Sequence, residues 1–340
     1  MPRIHANINP AVLRWARQSA GFDLEEAAKK IGVNLGRLHE WESGDRQPTI
    51  RQAREAARVF RRPFAVLFLP NLPQDAPSLA DFRRMPDDAP REYSTKLRFL
   101  IRELQHRQQW ASELRELDEM EPLVWVGSLT TSQDHSRAAT VMREHFNGVS
   151  QAIEEVGSAD EALSVWTDAV QSIGVFVCQA GDVEPEEARG FCLPDMLAPF
   201  IMVNSKDSRG ARVFTIIHEL VHLFLGVGGV SNLGLHGRHL PNVREVEQFC
   251  NAVAGLVLVP SNRLRRAWDE EDVSTHDDEE VAESIARIAS RFRVSREVVA
   301  RRLLDADRIG QALYRRLHDQ YVREWREQRR RMRESEGGPP

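Results

Sequence analysis

The stretch VFTIIHELVHLFLG, residues 213–226, constrains this chain more than any other part of its sequence. It holds His218 and His222 four residues apart, with Glu219 directly after the first histidine, and its other residues are almost all apolar. An α-helix turns by about 100° per residue, so the two histidines lie on one face, one turn apart. Burying such polar side chains without partners costs on the order of several kcal/mol.

A bound metal ion would remove that cost. Two imidazoles one helical turn apart can bind one ion, and the following glutamate then points beside the ion, where it can hold a coordinated water. The pattern HExxH therefore predicts a zinc site with His218 and His222 as ligands and Glu219 as the general base. Mn²⁺ could replace Zn²⁺. The weaker alternative is a pair of core histidines that are satisfied by other protein groups.

A catalytic zinc normally has a third protein ligand and one open position. The extended pattern with a third histidine six residues after the second fails, because position 228 is glycine. The downstream candidates are His236, His239, Glu245 and Glu247. The two histidines stand in a Gly-rich loop, whereas Glu247 begins the apolar helical pattern EQFCNAVAGLVLVP. A ligand on a rigid helix packed against the first helix is favoured, which points to Glu247.

The N-terminal part differs from the rest of the chain in its predicted secondary structure and in its charge. Residues 7–69 are predicted to form short helices, with Asp23 and Asn34 as N-caps and with glycines at the helix ends. A helix, a Gly-containing turn and a second helix are typical of the helix-turn-helix motif, although any small helical bundle has a similar spacing. Residues 1–70 carry 12 Lys and Arg against 7 Asp and Glu, so a basic module is attached to an acidic body.

Beyond this module the chain alternates between charged and apolar patterns. We assign residues 1–70 to the helix-turn-helix domain, 71–120 to a linker and a charged helix, 121–265 to a metallopeptidase-like domain, and 266–340 to a helical region with a disordered tail. Short β-branched or aromatic runs predict strands at PLVWVG, GVFVCQ, RGFCLP and PFIMVNSKD. PFIMVN is predicted as an edge strand that pairs with an extended substrate. SNRLRRAWDEEDVSTHDDEE is interpreted as a charged surface loop or frayed helix.

Composition excludes several classes of protein. Hydrophobic residues make up 41% and charged residues 29% of the chain, which is typical of a globular protein. The sequence has no apolar run long enough for a membrane span and no signal peptide at its start, so a cytoplasmic location is expected. The three cysteines are widely spaced, which argues against a disulfide framework and against a cysteine-based zinc site.

Two segments resemble known families. The stretch RGFCLPDMLAPFIMVNSKDSRGARVFTIIHELVHLFLG, followed by EQFCNAVAGLVLVP, resembles the ImmA/IrrE metallopeptidases, in which the second helix reads E-x-x-A/C-N-x-x-A. Glu247, Cys250, Asn251 and Ala254 match that pattern. The resemblance implies that Glu247 is the third metal ligand. The stretch WESGDRQPTI resembles the turn of the Xre/Cro-type helix-turn-helix domain, which is often fused to this peptidase.

The resemblance implies an α+β fold: an all-α helix-turn-helix domain, then a small zincin-like domain with a C-terminal helical part. It also implies a zinc-dependent regulatory endopeptidase that cleaves a specific protein, with a helix-turn-helix transcriptional repressor as the expected substrate. The alternative is a DNA-binding transcriptional regulator, or an antitoxin-like protein, whose metal domain senses or docks without cleaving.

The basic module departs from the DNA-binding pattern at two positions. Leu24 and Leu35 stand where glutamines usually contact phosphates and bases, and a leucine can make neither hydrogen bond. The remaining candidate DNA contacts are Asn34, Arg37, His39 and Arg46. Weak DNA binding is therefore expected, with recognition of another protein as the alternative role of this domain.

Overall fold

The computed structural model describes residues 4–73, 93–227, 243–271 and 277–335, and these divide into two compact units. One unit ends at Trp110 and the other continues from Ala111, so the division falls within a helix. The sequence-based boundaries at 70, 120 and 265 stay predictions. The α+β fold class is confirmed, with an all-α N-terminal unit. Every helix in the described part of the chain is too short or too polar to cross a membrane.

The N-terminal unit consists of short helices whose ends follow the expected caps. Asp23 Oδ1 accepts a hydrogen bond from the Glu26 backbone N–H, and Asn34 Oδ1 accepts one from Arg37 N–H. Gly32 ends its helix with a φ of 79°, which a residue with a Cβ adopts only at a cost. The helices are α1 Pro10–Ser19, α2 Leu24–Ile31, α3 Leu35–Ser43, α4 Ile50–Val59 and the start of α5 Thr95–Leu117.

A buried ion pair ties α1 to α3. Glu42 is only 5% exposed, and both of its carboxylate oxygens accept hydrogen bonds from Arg17, at 2.7 Å to Nε and 2.9 Å to the terminal nitrogen. The same guanidinium also donates to the Phe22 carbonyl. This bidentate geometry satisfies a charge that the apolar core around Leu13 and Trp41 could not hold alone.

The second unit is built around a three-stranded sheet with the order β1-β3-β2. Strand β1 Phe176–Ala180 pairs parallel with β3 Phe200–Asn204, and β2 Gly190–Leu193 pairs antiparallel with β3. The expected edge position of PFIMVN is wrong. All five residues of β3 are buried, and the strand is central because its unbroken apolar run needs cover on both faces and both edges.

Helices surround this sheet and share one apolar core. Helix α9 packs against β2, β3, α8 and α10, and α10 also packs against α6 and α13. Residues of α12 and α13, such as Ile285 and Val299, belong to this same core. The helices are α6 His135–Glu144, α7 Val149–Glu155, α8 Ala159–Ser172, α9 Arg209–Leu225, α10 Val243–Leu258, α11 Ser261–Glu271, α12 Asp278–Phe292, α13 Arg296–Asp305 and α14 Gln311–Ser335.

Two sequence-based predictions in this unit need correction. PLVWVG does not form a strand but a series of turns, because its backbone is used elsewhere. Gly127 N–H donates to the Leu223 carbonyl, and Leu129 N–H to the Phe224 carbonyl, so this segment satisfies the last turn of α9. The segment interpreted as a loop or frayed helix begins with α11, whose Leu264 and Trp268 are buried.

The ion pair between Arg17 and Glu42 yields a stability prediction. Glu42→Ala leaves a mostly buried guanidinium without its carboxylate, so we expect the N-terminal unit to lose about 3 kcal/mol of unfolding free energy. Hydrogen exchange of the full chain, followed by mass spectrometry, should show faster exchange throughout the helices of the N-terminal unit and unchanged exchange in the second unit. Glu55→Ala is the matched control, since Glu55 pairs with Arg58 at the surface. Equal effects of the two substitutions would contradict this account.

Candidate metal centre

The HExxH segment lies in the middle of α9. Ser208 caps the N-terminus of this helix, and Gly226 ends it with a φ of 64°. The apolar residues around the motif, among them Ile217 and Leu220, are fully buried, which fixes the rotation of the helix about its axis. That rotation turns His218 and His222 toward α10, as the 3.6-residue period requires.

Three side chains meet at one point between α9 and α10. The Nε2 atoms of His218 and His222 are 3.1 Å apart, and the Glu247 carboxylate oxygens lie 3.4 Å from the first and 3.1 Å from the second. These are the residues that the sequence indicated as ligands, and one ligand atom from each falls within a 4.8 Å cluster. Glu245 instead points away and accepts a hydrogen bond from Thr131.

The cluster has the dimensions of a zinc site. Zinc binds nitrogen and oxygen ligands at about 2.0–2.1 Å, so neighbouring ligand atoms of a tetrahedral site are about 3.3 Å apart. The two histidine Nε2 atoms, 3.1 Å apart, have the spacing of one edge of such a tetrahedron. The Glu247 carboxylate faces both of them, with Oε2 3.4 Å from His218 and Oε1 3.1 Å from His222. Two imidazoles and one carboxylate leave the fourth position open, which is typical of catalytic sites. The two other candidate ligands, His236 and His239, lie outside the described residues.

The electrostatics of Glu247 favour its charged form. Burial alone would raise the pKa of this carboxyl, but the hydrogen bonds and positive charge of His218 and His222 outweigh it and lower the pKa to about 2. A carboxylate that stays ionised is the form that binds a metal ion. Glu247 is therefore held in the form that a metal ion would bind, with the two histidines as its neighbours.

Glu219 faces the sheet rather than α10. A Cβ built on Gly190 of β2 would lie 3.5 Å from the Glu219 Cγ, 2.4 Å from Thr215 Cγ2 and 2.8 Å from the Met202 carbonyl oxygen. Only glycine permits β2 to approach α9 this closely. Glu219 thus lies between the three ligand side chains and β2, an edge strand of the sheet.

Two buried cysteines border the same region. Burial, followed by the negative charge of Glu219, raises the pKa of the Cys192 thiol well above its usual value, and burial and Glu247 do the same for Cys250. Both cysteines are free and buried, so they pack as small apolar side chains, and among the described residues the group of possible metal ligands contains His218, His222 and Glu247 instead. Sequence analysis missed Gly190 and Cys192 as neighbours of Glu219, although a glycine within a strand is a signal of close backbone approach.

Asn204, the last residue of β3, shapes the approach to β2. Its buried side-chain amide donates to the carbonyls of Val183 and Ala188, at 2.9 and 2.7 Å, and its oxygen accepts from Lys206 N–H. These bonds fasten the loop between β1 and β2. Asn204 therefore holds the loop that leads into β2, the strand that lies next to Glu219.

The candidate DNA contacts lie on or beside α3 of the other unit. His39 and Arg46 are exposed, but the Asn34 oxygen is engaged as the N-cap of α3. Arg37 and Arg46 both approach the Glu40 carboxylate, at 3.7 and 3.8 Å. This shared carboxylate reduces the positive charge that the two arginines offer to a phosphate.

Comparison with known families agrees with this arrangement. A family model described as the IrrE N-terminal-like domain of the M78 peptidases matches residues 171–304, which include α9 and α10. A helix-turn-helix model matches residues 13–67. No curated protein sequence matches the chain significantly. The chain thus joins a helix-turn-helix region to an IrrE-like M78 peptidase region, and the two matches together correspond to an ImmA/IrrE protein with an Xre-type helix-turn-helix domain.

Proposed function

We propose that the protein is a zinc-dependent endopeptidase that cleaves a specific protein, namely a helix-turn-helix transcriptional repressor. The observation that carries this proposal is the convergence of His218, His222 and Glu247, whose ligand atoms lie within 4.8 Å of one another, with Glu219 next to the first histidine. A site that only stored or sensed the ion would not need a carboxylate at the position of Glu219.

His218, His222 and Glu247 would hold the ion, which when bound acidifies a water and polarises the scissile carbonyl. Glu219 would accept a proton from the attacking water at its carboxylate and then deliver that proton to the leaving amine. Because Glu219 lies between the ligand cluster and β2, it is adjacent to the strand at which a substrate would lie.

Strand β2 is the edge that suits an extended substrate. It pairs with β3 on one side, and its residues Gly190 and Cys192 face Glu219. An extended peptide that lay along β2 would carry its backbone past the general base. The sequence predicted that PFIMVN, which contains β3, would align the substrate. Because β3 is central in the sheet, we propose β2 for this role instead.

The ligand assignment has a direct test. His218→Ala, His222→Ala and Glu247→Ala should each lower zinc affinity by about 100-fold or more, because one of three protein ligands is lost. Metal analysis and competition with a chromogenic chelator measure this, and circular dichroism checks the fold. His236→Ala is the control and should bind zinc like the wild type. Zinc affinity that survives Glu247→Ala but not His236→Ala or His239→Ala would show that the third ligand is wrong.

Glu219→Gln tests the general base. The substitution keeps the ligands, so zinc should remain bound, while the rate of peptide hydrolysis should fall by about 100-fold to 10,000-fold. Glu245→Gln, on the exposed start of α10, is the matched control and should keep full activity. The zinc-loaded Glu219→Gln protein should also retain its substrate during purification from cells.

Absence of any retained protein, together with unchanged cellular proteins when the wild type is produced under stress, would overturn the peptidase proposal. A regulator that senses metal without cleaving would then be the better description.

The helix-turn-helix unit is proposed to bind DNA weakly, mainly through phosphate contacts. We expect the full chain to bind a duplex with an affinity that falls steeply between about 50 and 200 mM salt. Combined Arg37→Ala and Arg46→Ala should weaken binding by about tenfold, whereas Glu40→Gln should strengthen it by freeing both arginines. Fluorescence anisotropy measures both effects. Nanomolar, sequence-specific binding at physiological salt would contradict the proposal, and no binding even at low salt would favour protein recognition.

A further inference from the structure

An exposed apolar surface lies at the start of the second unit. Of the eleven large apolar side chains exposed in the described residues, five belong to it, and we call these five the apolar patch: Leu114, Leu117, Met120, Val124 and Met196. Leu117 and Val124 are 79% and 83% exposed. Large apolar side chains that gather on a surface, instead of being scattered singly, mark interaction sites.

The patch is a rigid part of the unit. On the opposite side of α5, Ser112 donates to the Asp195 carboxylate, and Arg115 donates to the carbonyls of Gly174 and Leu197. The Leu123 N–H donates to the Met196 carbonyl, which brings Met196 beside Val124. The polar side chains Ser112 and Arg115 hold one face of α5 against the rest of the unit. The apolar side chains on the other face of the helix are therefore turned toward solvent.

The rim of the patch is strongly acidic. Between residues 113 and 121 the chain has five acidic residues and one basic residue, and Arg115 is turned toward the body of the unit. The exposed acidic residues are Glu113, Glu116, Asp118, Glu119 and Glu121. An apolar centre with a negative rim complements a protein surface that combines apolar side chains with Lys and Arg, and it repels nucleic acid.

The patch is also connected to the helix that carries the metal ligands. Trp125, next to Val124, packs against Phe224 with ring centroids 4.7 Å apart, and the backbone of residues 127–129 bonds to the last turn of α9. A partner on the patch is therefore held at a fixed position relative to His222. An endopeptidase that selects one folded protein needs such contacts in addition to the few residues at the scissile bond.

We propose that the apolar patch is a docking surface for the protein substrate, and that it binds an apolar and basic segment of that substrate. This inference rests on the proposed function, because a DNA-binding repressor is the kind of protein whose surface is rich in Lys and Arg. The patch thereby selects the substrate, while the strand β2 aligns the peptide bond that is cut.

Two synthetic helical peptides test the proposal. Each carries a stripe of leucines, flanked by lysines in one peptide and by glutamates in the other, and both carry a fluorophore for anisotropy. The full chain with zinc and Glu219→Gln should bind the Leu/Lys peptide at least tenfold more tightly than the Leu/Glu peptide, and high salt should reduce this difference.

Substitutions in the patch supply the decisive comparison. Leu117→Asp combined with Val124→Asp should weaken binding of the Leu/Lys peptide at least tenfold, without loss of structure, because both side chains are exposed. Ile4→Asp combined with Leu72→Asp is the matched control, since these residues are 68% and 55% exposed but lie in the other unit. Failure of the peptide to bind, or equal binding by both double variants, would overturn the proposal.

Other occupants give different results. A wild-type dimer in sedimentation that becomes a monomer in the patch variant would assign the patch to a second copy of the chain. Peptide binding that emerges only when residues 74–92 are replaced by a Gly/Ser linker would assign it to that segment. Either result overturns the proposal.

The outcome is separable from that of the proposed function, because the peptides report binding and not cleavage. Patch-dependent binding without any proteolysis would retain the docking surface and reject the endopeptidase. Proteolysis of a protein that requires His218 but is unaffected by Leu117→Asp and Val124→Asp would do the reverse.

Discussion

The packing of α9 against α10 is the interaction on which the candidate centre depends. It brings a carboxylate from one helix within 3.4 Å of two imidazole nitrogens on the other, inside a core that is otherwise apolar. Such a cluster is costly unless charge and hydrogen bonds compensate, and the lowered pKa of Glu247 reflects that compensation. Val253 and Ala254, on the same helix as Glu247, are completely buried in this core.

The sheet serves the same centre from the other side. Gly190 lets β2 lie directly on α9, and Asn204 fastens the loop that leads into that strand. Helix, sheet and second helix thus form three layers, with the HExxH helix in the middle. The ligands His218 and His222 of this helix face α10, whereas Glu219 faces β2. The proposed metal ligands and the proposed general base thus contact different neighbouring elements.

Within its described residues, the N-terminal unit buries a charge without a metal ligand cluster. It places one carboxylate, Glu42, in an apolar core and neutralises it with the forked guanidinium of Arg17. On its α3 surface, Glu40 lies between two arginines, and the exposed Leu35 stands at the start of the helix. A surface of this kind offers less positive charge than its arginine count indicates, in agreement with the weak DNA binding proposed.

The sequence by itself determined the local features, namely the helices of the first unit with their caps at Asp23 and Asn34 and the HExxH helix, because each depends on residues a few positions apart. The α+β class followed from the family resemblance. Glu247 could be favoured from its place in an apolar helix, but only packing brings it to the histidines. Only the tertiary structure decided the strand order that makes β3 central, the use of residues 122–129 to satisfy α9, and the contact of Gly190 with Glu219. These depend on which elements meet across long separations in the chain, and periodicity within a segment carries no information about its neighbours in space.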